Sequence, residues 1–422
     1  MLHAFEFNIL TNINLEFIFV YMIPRTLSAS INEYSREYPV IAIVGPRQSG
    51  KTTLARHLFP EYTYVSLENL DYRHAASDDP RGFLDDHGSR IILDEIQRVP
   101  ELFSYLQERV DIHDAAAQYI LTGSQQFLLM EKVSQSLAGR IATFKLFPFT
   151  LPELFQTKKD TSIAGIFSVK QKRGGQPDGS TMYEMVHTGM YPRIHDKKLT
   201  APRWLENYVL TYMERDIRSL INVENLRTFE NFLKVCASFS GQLLNYASIS
   251  NAIGISQPTV KKWLSLLETS GVVLLLPPHH KNFSKRLIKS PKLYFLDTGL
   301  LCFLLSIRTP GELPGHPLFG SIFETFAVSE LYKRICHIGE IPPLFFWRDK
   351  TGNEIDLIVE IDGKLLPVEI KSSKTYTPDF SAGIKKWFNL KGNTARRGMV
   401  IYAGGETVGK TADVCTVPLW YL

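Results

Sequence analysis

Cysteine is scarce in this 422-residue chain: Cys236, Cys302, Cys336 and Cys415 are the only four, and none falls in a C-x-x-C spacing or a Cys/His cluster. Thiols scattered in this way argue against a disulfide framework and a structural zinc, and read as the reduced cysteines of a cytoplasmic protein. His279-His280 has no carboxylate or thiol spaced around it, which argues against a metal there as well. Charge of one sign is also in short supply. Lys plus Arg number 47 and Asp plus Glu 43, a net charge of +4, so any nucleic-acid surface must be local. Long apolar runs are missing too. Phe17-Ile18-Phe19-Val20-Tyr21-Met22-Ile23 is cut off by Pro24-Arg25, well short of the roughly 20 residues a spanning helix needs. No Lys or Arg precedes it and no small-residue cleavage site follows, so it makes a poor secretion signal. The expectation is that Met22 is the natural start, with residues 1–21 an upstream extension, and that no membrane is involved.

What is present is an ordinary globular composition, 44% hydrophobic and 21% charged, over a length that suits two or three domains. One stretch organises the rest. Gly45-Pro46-Arg47-Gln48-Ser49-Gly50-Lys51-Thr52 follows the apolar run Val40–Val44 and precedes a helical segment that begins at Thr53. Strand, glycine loop with Lys-Thr, then helix is the context of a phosphate-binding P-loop. Gly45 and Gly50 let the backbone curl so that N–H groups point at phosphate oxygens, and the new helix adds its positive dipole end. Lys51 is expected to reach the β/γ-phosphates and the Thr52 hydroxyl to ligate Mg²⁺. The expected ATP-binding set is Gly45, Pro46, Arg47, Gln48, Ser49, Gly50, Lys51, Thr52 and Thr53.

From Met22 to about Phe155 apolar strands alternate with helical segments, the pattern of an α/β parallel sheet. Strand candidates are Val40–Val44, Thr63–Leu67, Arg90–Leu93, Tyr119–Leu121 and Ala142–Leu146. The third delivers Asp94-Glu95 at its carboxyl end, where ligands bind in open α/β sheets. Asp94 suits an Mg²⁺-holding role, and Glu95 is placed to polarise the attacking water. Ser124, after the fourth strand, is placed to sense the γ-phosphate. A helix over Gln126 to Leu137 closes on Ala138-Gly139-Arg140. Arg140 either serves a neighbouring copy as an arginine finger, which implies a homo-oligomer, or simply offsets a helix dipole.

Gly-Pro-Arg-Gln-Ser-Gly-Lys-Thr-Thr, Ile-Leu-Asp-Glu-Ile-Gln, Leu-Thr-Gly-Ser and Ser-Leu-Ala-Gly-Arg, in this order, resemble the AAA-type ATPases of bacteria and archaea. The likeness is to the subfamily whose C-terminal half is a domain of unknown function, and it runs from about Met22 to the end. It implies ATP as ligand and a helical lid, assigned to residues 156–235. There Arg193 and Arg215 either contact phosphate or pair with nearby acids. Residues 156–182, with Lys158, Lys159 and a Gly-rich run, read as a polar excursion.

Leu244 to Leu276 reads as a helix-turn-helix, with helices over Ser248–Ala252 and Gln257–Ser270, Ser256 as N-cap and Pro258 in the first turn. Val260, Trp263, Leu264 and Leu267 share a buried face, which leaves Lys261 and Lys262 outward. Strands Val272–Leu276 and Lys292–Leu296 would complete a winged helix over 236–300. Its basic wing carries Lys281, Lys285, Arg286, Lys289 and Lys292, a pattern that suits DNA phosphates. The alternative is a winged helix used for protein contacts.

In the last segment, 301–422, a helix over Ser321–Arg334 carries Glu324. Glu354–Ile361 and Lys364–Lys371 flank Asp362-Gly363, a two-residue hairpin signal. Counting from the turn sets Asp356 opposite Glu369 and Glu354 opposite Lys371, all on one face. Opposed carboxylates repel, and a divalent cation offsets them best. Asp356, Glu369 and Lys371 resemble the D…E-x-K motif of restriction-endonuclease-like folds, and Glu324 matches the helical acid of that fold. The resemblance implies Mg²⁺ on Asp356 and Glu369, aided by Glu324, with Lys371 positioning the water. The other reading is a nuclease-derived scaffold with Lys371 paired to Glu354.

The expected architecture is α/β: an AAA-type P-loop parallel sheet over 22–155, a helical lid, a winged helix and a restriction-endonuclease-like module. The expected function is a Mg²⁺-dependent ATPase coupled to DNA binding or cleavage. Its rival is a nucleotide-gated module that recognises a protein partner and cuts nothing.

Overall fold

The computed structural model describes residues 22–113, 115–124, 136–157, 160–168, 179–212, 226–279, 289–390, 393–407 and 413–421. Its first sheet is five parallel strands in the order β2-β3-β4-β1-β5. They are β1 (Val40–Val44), β2 (Thr63–Ser66), β3 (Ile91–Asp94), β4 (Tyr119–Gly123) and β5 (Ile141–Lys145). β1 is buried along its whole length, as a parallel strand covered by helices on both faces must be. Ile41, Ile43 and Ile120 pack under the helices Ser28–Tyr34 and Lys51–Leu58 through Ile31, Leu54 and Ala55. Val40, Ala42, Val44 and Leu93 face the helices Pro80–His87 and Leu102–Ile112 through Phe83, Leu84, Leu102 and Leu106. The register sets Val44 beside Gly123 and Asp94 beside Thr122, so the carboxyl ends of β1, β3 and β4 form one edge.

A further apolar core runs from Phe147 to Leu419, and a separate one with Trp347, Ile355, Ile384 and Trp387 lies in the C-terminal segment. The helix Leu226–Ser238 leads into β6 (Gln242–Leu243), the helices Tyr246–Ile253 and Gln257–Thr269, then β7 (Val273–Leu276) and β8 (Lys292–Phe295). The three strands form an antiparallel sheet, β6-β8-β7. The local chemistry is as expected. The Asn245 and Ser256 side chains accept from Ser248 N–H and Thr259 N–H, and Gly254 ends the first helix in the left-handed conformation. Val260, Trp263, Leu264 and Leu267 are buried, while Lys261 and Lys262 are exposed.

The final sheet has the order β13-β12-β11-β10-β9. β9 (Leu344–Arg348), β10 (Glu354–Ile361) and β11 (Lys364–Lys371) are antiparallel; β12 (Gly398–Tyr402) and β13 (Val414–Pro418) continue in parallel. The β10–β11 register runs from Ile361↔Lys364 to Leu357↔Val368, in agreement with the count from the turn. Asp362 (φ 50) and Gly363 (φ 72) both take positive φ, the geometry of a type I′ turn. Pro367 stays in the hairpin ladder, and the β11–β12 ladder begins one residue later at Val368, so its missing N–H weakens only the outer pairing. The 19-residue helix Phe319–His337 packs against this sheet and reaches back to β5.

Candidate active site and the carboxylate cluster

The loop after β1 fits only glycine at its start. A Cβ on Gly45 would lie 2.1 Å from the Leu146 carbonyl oxygen, and φ is +149 there. Gln48 (φ 62) and Gly50 (φ 93) take left-handed backbone, so successive N–H groups turn inward above the Lys51–Leu58 helix. The Lys51 ammonium lies on the loop carbonyls, 3.1 Å from Gly45 O and 2.9 Å from Pro46 O. Thr52 Oγ1 donates to Asp94 Oδ1 at 2.9 Å. Thr122, beside Asp94 in the β3–β4 register, also donates to Oδ1, and the Tyr64 phenol donates to Oδ2 at 2.8 Å. Burial and the adjacent Asp94 push the Tyr64 phenol up to about 12, which keeps it a donor.

Glu95 stands in the left-handed region (φ 57), a strained backbone for a residue with a side chain. Its Oε2 accepts from Ser124 Oγ at 2.9 Å and from the Gln97 amide. Ser124 therefore reaches Glu95, on the same edge as the P-loop and Asp94. The loop, Asp94 and Glu95 line a cavity of about 350 Å³. Its far wall is Pro192, Arg193 and Asp196 of the helix Pro192–Asp196, with Lys197 just after it. Arg193 is exposed, and its side chain makes no hydrogen bond or ion pair among the described residues. Tyr64 had no signal in the sequence, whereas Thr122 and Gln97 stand within the motifs Leu-Thr-Gly-Ser and Ile-Leu-Asp-Glu-Ile-Gln without a role assigned to them.

Arg140 lies at the opposite edge, just before β5, where its backbone carbonyl accepts from Val40 N–H at 3.2 Å. Its guanidinium is bidentate to Asp111 at the end of the Leu102–Ile112 helix. Arg215, Lys281, Lys285 and Arg286 lie outside the described residues.

The C-terminal cluster differs from expectation in its cations. Lys292, expected on a basic wing, is 2% exposed and points inward. Its Nζ is 2.9 Å from Glu324 Oε1 and also pairs with Glu354. Tyr294 OH donates to the same Glu324 oxygen at 2.6 Å. Glu354 pairs with Arg348 at 2.8 Å, whereas Lys371 sits 2.5 Å from Glu369 Oε2 and 3.9 Å from Asp356 Oδ2. The suggested Glu354–Lys371 pair is thus replaced. Asp356 Oδ2 also accepts from Ile370 N–H at 2.8 Å. Burial first, then the Asp356 charge, raises Glu369 to about 8; burial raises Glu324 to about 7. Two lysines and these reluctant carboxyls offset the repulsion that a metal was expected to relieve. Among the described residues no group of three or more His, Cys, Asp or Glu could hold a metal ion, so Glu324 does not join Asp356 and Glu369 in a three-carboxylate site. Among the described residues no helix is long and apolar enough to cross a membrane.

Comparison with known proteins adds three domain matches: an AAA domain over residues 37–155, a domain of unknown function (DUF8612) over 180–311 and another (DUF4143) over 319–422. Uncharacterised proteins of Mycobacterium tuberculosis and Mycobacterium bovis are each 30% identical over 397 residues, 93% of this chain and 83% of theirs. Among solved structures, the Walker-type ATPase paby2304 of Pyrococcus abyssi is 14% identical and covers 67% of this chain and 96% of its own, with a TM-score of 0.41. The Thermotoga maritima RuvB Holliday junction branch migration motor is 20% identical and covers 60% of this chain and 87% of its own, with a TM-score of 0.30.

Proposed function

This chain belongs to the same family as the two mycobacterial proteins and carries a P-loop ATPase domain ahead of DUF8612 and DUF4143; on that premise we propose a Mg²⁺-dependent ATPase whose turnover is coupled to DNA held by a winged helix. The observation that carries the ATPase chemistry is the convergence of Lys51, Thr52, Asp94, Glu95 and Arg193 on one cavity. The Thr52–Asp94 oxygen pair suits a hard cation. Mg²⁺ held by these two would neutralise charge on the β- and γ-phosphates. Lys51 leaves the loop carbonyls for the phosphates, and the curled backbone N–H groups bind them. Glu95, held by Ser124 and Gln97, orients and accepts a proton from the attacking water. Arg193 comes from the lid and offsets charge on the terminal phosphate.

Two measurements test this. Lys51→Ala should abolish turnover while the fold persists; unchanged hydrolysis would remove the P-loop assignment. Glu95→Gln should retain bound ATP and slow hydrolysis by about 10²–10⁴-fold, the usual contribution of a general base.

The winged helix reading rests on the order helix, β6, two helices, β7, β8 and on the exposed Lys261 and Lys262. For the C-terminal module the lysine-filled cluster favours a nuclease-like scaffold that binds and does not cut. Incubating DNA with Mg²⁺, with and without ATP, checks this; cleavage lost in Asp356→Ala would overturn it. A protein partner is then the natural occupant of that module, and Arg140 serves a neighbouring copy in a homo-oligomer.

A further inference from the structure

The nucleotide loop is gripped from behind by the second half of the chain. Arg25, 4% exposed, donates from its guanidinium to Ser49 O in the loop at 2.8 Å and to Phe147 O at 2.5 Å. Its Nε lies 3.3 Å from Glu153 Oε1, and its guanidinium stacks 4.9 Å over the Phe149 ring. Glu153 is fixed in turn by Thr26 N–H at 2.8 Å and Thr150 N–H at 3.0 Å. Facing it, His337 at the end of the Phe319–His337 helix sets Nδ1 3.2 Å from Glu153 and accepts from Phe147 N–H at 3.0 Å through Nε2. The same helix sends Glu330 to Leu151 N–H at 2.8 Å and Lys333 to Phe149 O at 3.0 Å. A second contact is independent of this hub. A Cβ on Gly271, in the turn before β7, would lie 3.0 Å from Pro46 Cδ.

We propose that Arg25 is a positioning residue for ATP turnover, through which the Phe319–His337 helix sets the conformation of the phosphate-binding loop. Ser49 O belongs to the peptide unit whose N–H is that of Gly50, at the curl of the loop. Fixing that oxygen fixes where the adjacent N–H points. A guanidinium can hold two carbonyls and a carboxylate at once; an ammonium lacks that planar fork. Glu153 and His337 then fix the guanidinium, so a shift of the helix is felt at the loop, and binding of phosphate is felt at the helix. The proposal rests on the nucleotide-site reading above.

The test uses the full chain. ATP turnover is measured for Arg25→Gln, Arg25→Lys and His337→Gln, and hydrogen exchange of residues 319–337 is followed with and without a non-hydrolysable ATP analogue at saturation. Loop N–H groups bind ground state and transition state alike, so KM should rise about tenfold in Arg25→Gln with kcat within about twofold. Arg25→Lys should fall between it and the wild type. The analogue should slow exchange of the helix in the wild type and not in Arg25→Gln. His337→Gln should raise KM in the same direction by a smaller factor, which keeps the test open should Arg25→Gln fail to fold. Wild-type KM in the folded variants, or a helix whose exchange ignores the analogue in the wild type, overturns the proposal. Turnover retained in Lys51→Ala would instead overturn the nucleotide-site reading.

Discussion

The Lys292 ammonium sits 2.9 Å from Glu324 in a pocket between β8 and the Phe319–His337 helix, and it also holds Glu354. A lysine buried to this degree is kept charged by its carboxylate partners. Removing it leaves Glu324 without a cation while Glu354 keeps Arg348, and breaking a buried pair on one side costs about 3–5 kcal/mol. Lys292→Met should therefore lower the melting temperature of the chain by many degrees. Addition of Glu324→Gln should restore part of the loss, since one orphaned charge goes with it. A Lys292→Met protein that melts with the wild type would show that the pair is ornamental.

Ser124→Ala tests the water-orienting carboxylate without touching phosphate. A hydrogen bond to a charged group contributes about 1.5–3 kcal/mol. If the Ser124 hydroxyl serves to aim Glu95, its loss should appear in kcat, by a factor of roughly ten or more. KM should barely move. Steady-state turnover checks it, and a raised KM with normal kcat would place Ser124 on the phosphate instead.

What could be read from the chain alone follows from locality. β1, the P-loop and the β10–β11 hairpin depend on neighbours within a few residues: an apolar run, paired glycines, Asp362-Gly363 at positive φ. The buried face Val260, Trp263, Leu264 and Leu267 follows from helical periodicity. Periodicity says which face is buried and not against what. That is why the sequence pattern of Lys292 is that of a wing cation: a lysine at the first position of a strand looks solvated until Glu324 and Glu354 are brought over it. Arg25 and His337 were invisible for the same reason, since Glu153 and Phe147 join them across most of the chain. Thr122 is the β4 register partner of Asp94, a neighbour that strand pairing alone supplies.

Burial holds the His337 imidazole below its usual pKa, against the opposing pull of Glu153 and with Arg25 and Lys333 also facing it. The sign follows from proton counting. The unfolded chain takes a proton on this residue near pH 6.5, which the folded chain refuses, so its contribution to stability is lost as pH falls below about 6.5. His337→Gln cannot lose it. The melting-temperature advantage of wild type over His337→Gln should shrink between about pH 7 and pH 5, as a pH series of melts will show. A constant advantage would mean that folded and unfolded chains take up this proton alike, and an advantage that grows as pH falls would mean that the imidazole is protonated when folded.

Arg140 is exposed and bidentate to Asp111 of its own chain, at the edge of the sheet away from its own nucleotide. If it serves a neighbour, it must leave Asp111 to do so. Arg140→Ala should keep monomer melting and ATP affinity while turnover per chain stops rising with protein concentration. Asp111→Asn should do the reverse and raise turnover at low concentration, because the guanidinium is released. Wild-type turnover per chain that is flat across concentration removes the neighbour altogether.

The DNA reading makes the most quantitative claim. Lys261 and Lys262 lie side by side on the Gln257–Thr269 helix, both exposed, with the Lys261 ammonium 5.3 Å over the Tyr246 ring. Cations that meet phosphates release counterions, so binding falls with salt at a slope of about 0.9 per phosphate neutralised. Replacing both with glutamine removes two such contacts without adding repulsion. Affinity for a mixed-sequence duplex should then fall alike for every sequence, and the slope of log K against log salt should lessen by about two. The helix packs through Val260, Trp263, Leu264 and Leu267 on its other face, so the fold and ATP turnover without DNA should be unchanged. An unaltered slope with unaltered affinity would take these lysines off the DNA and leave the three-stranded module as a packing element between ATPase and C-terminal sheet.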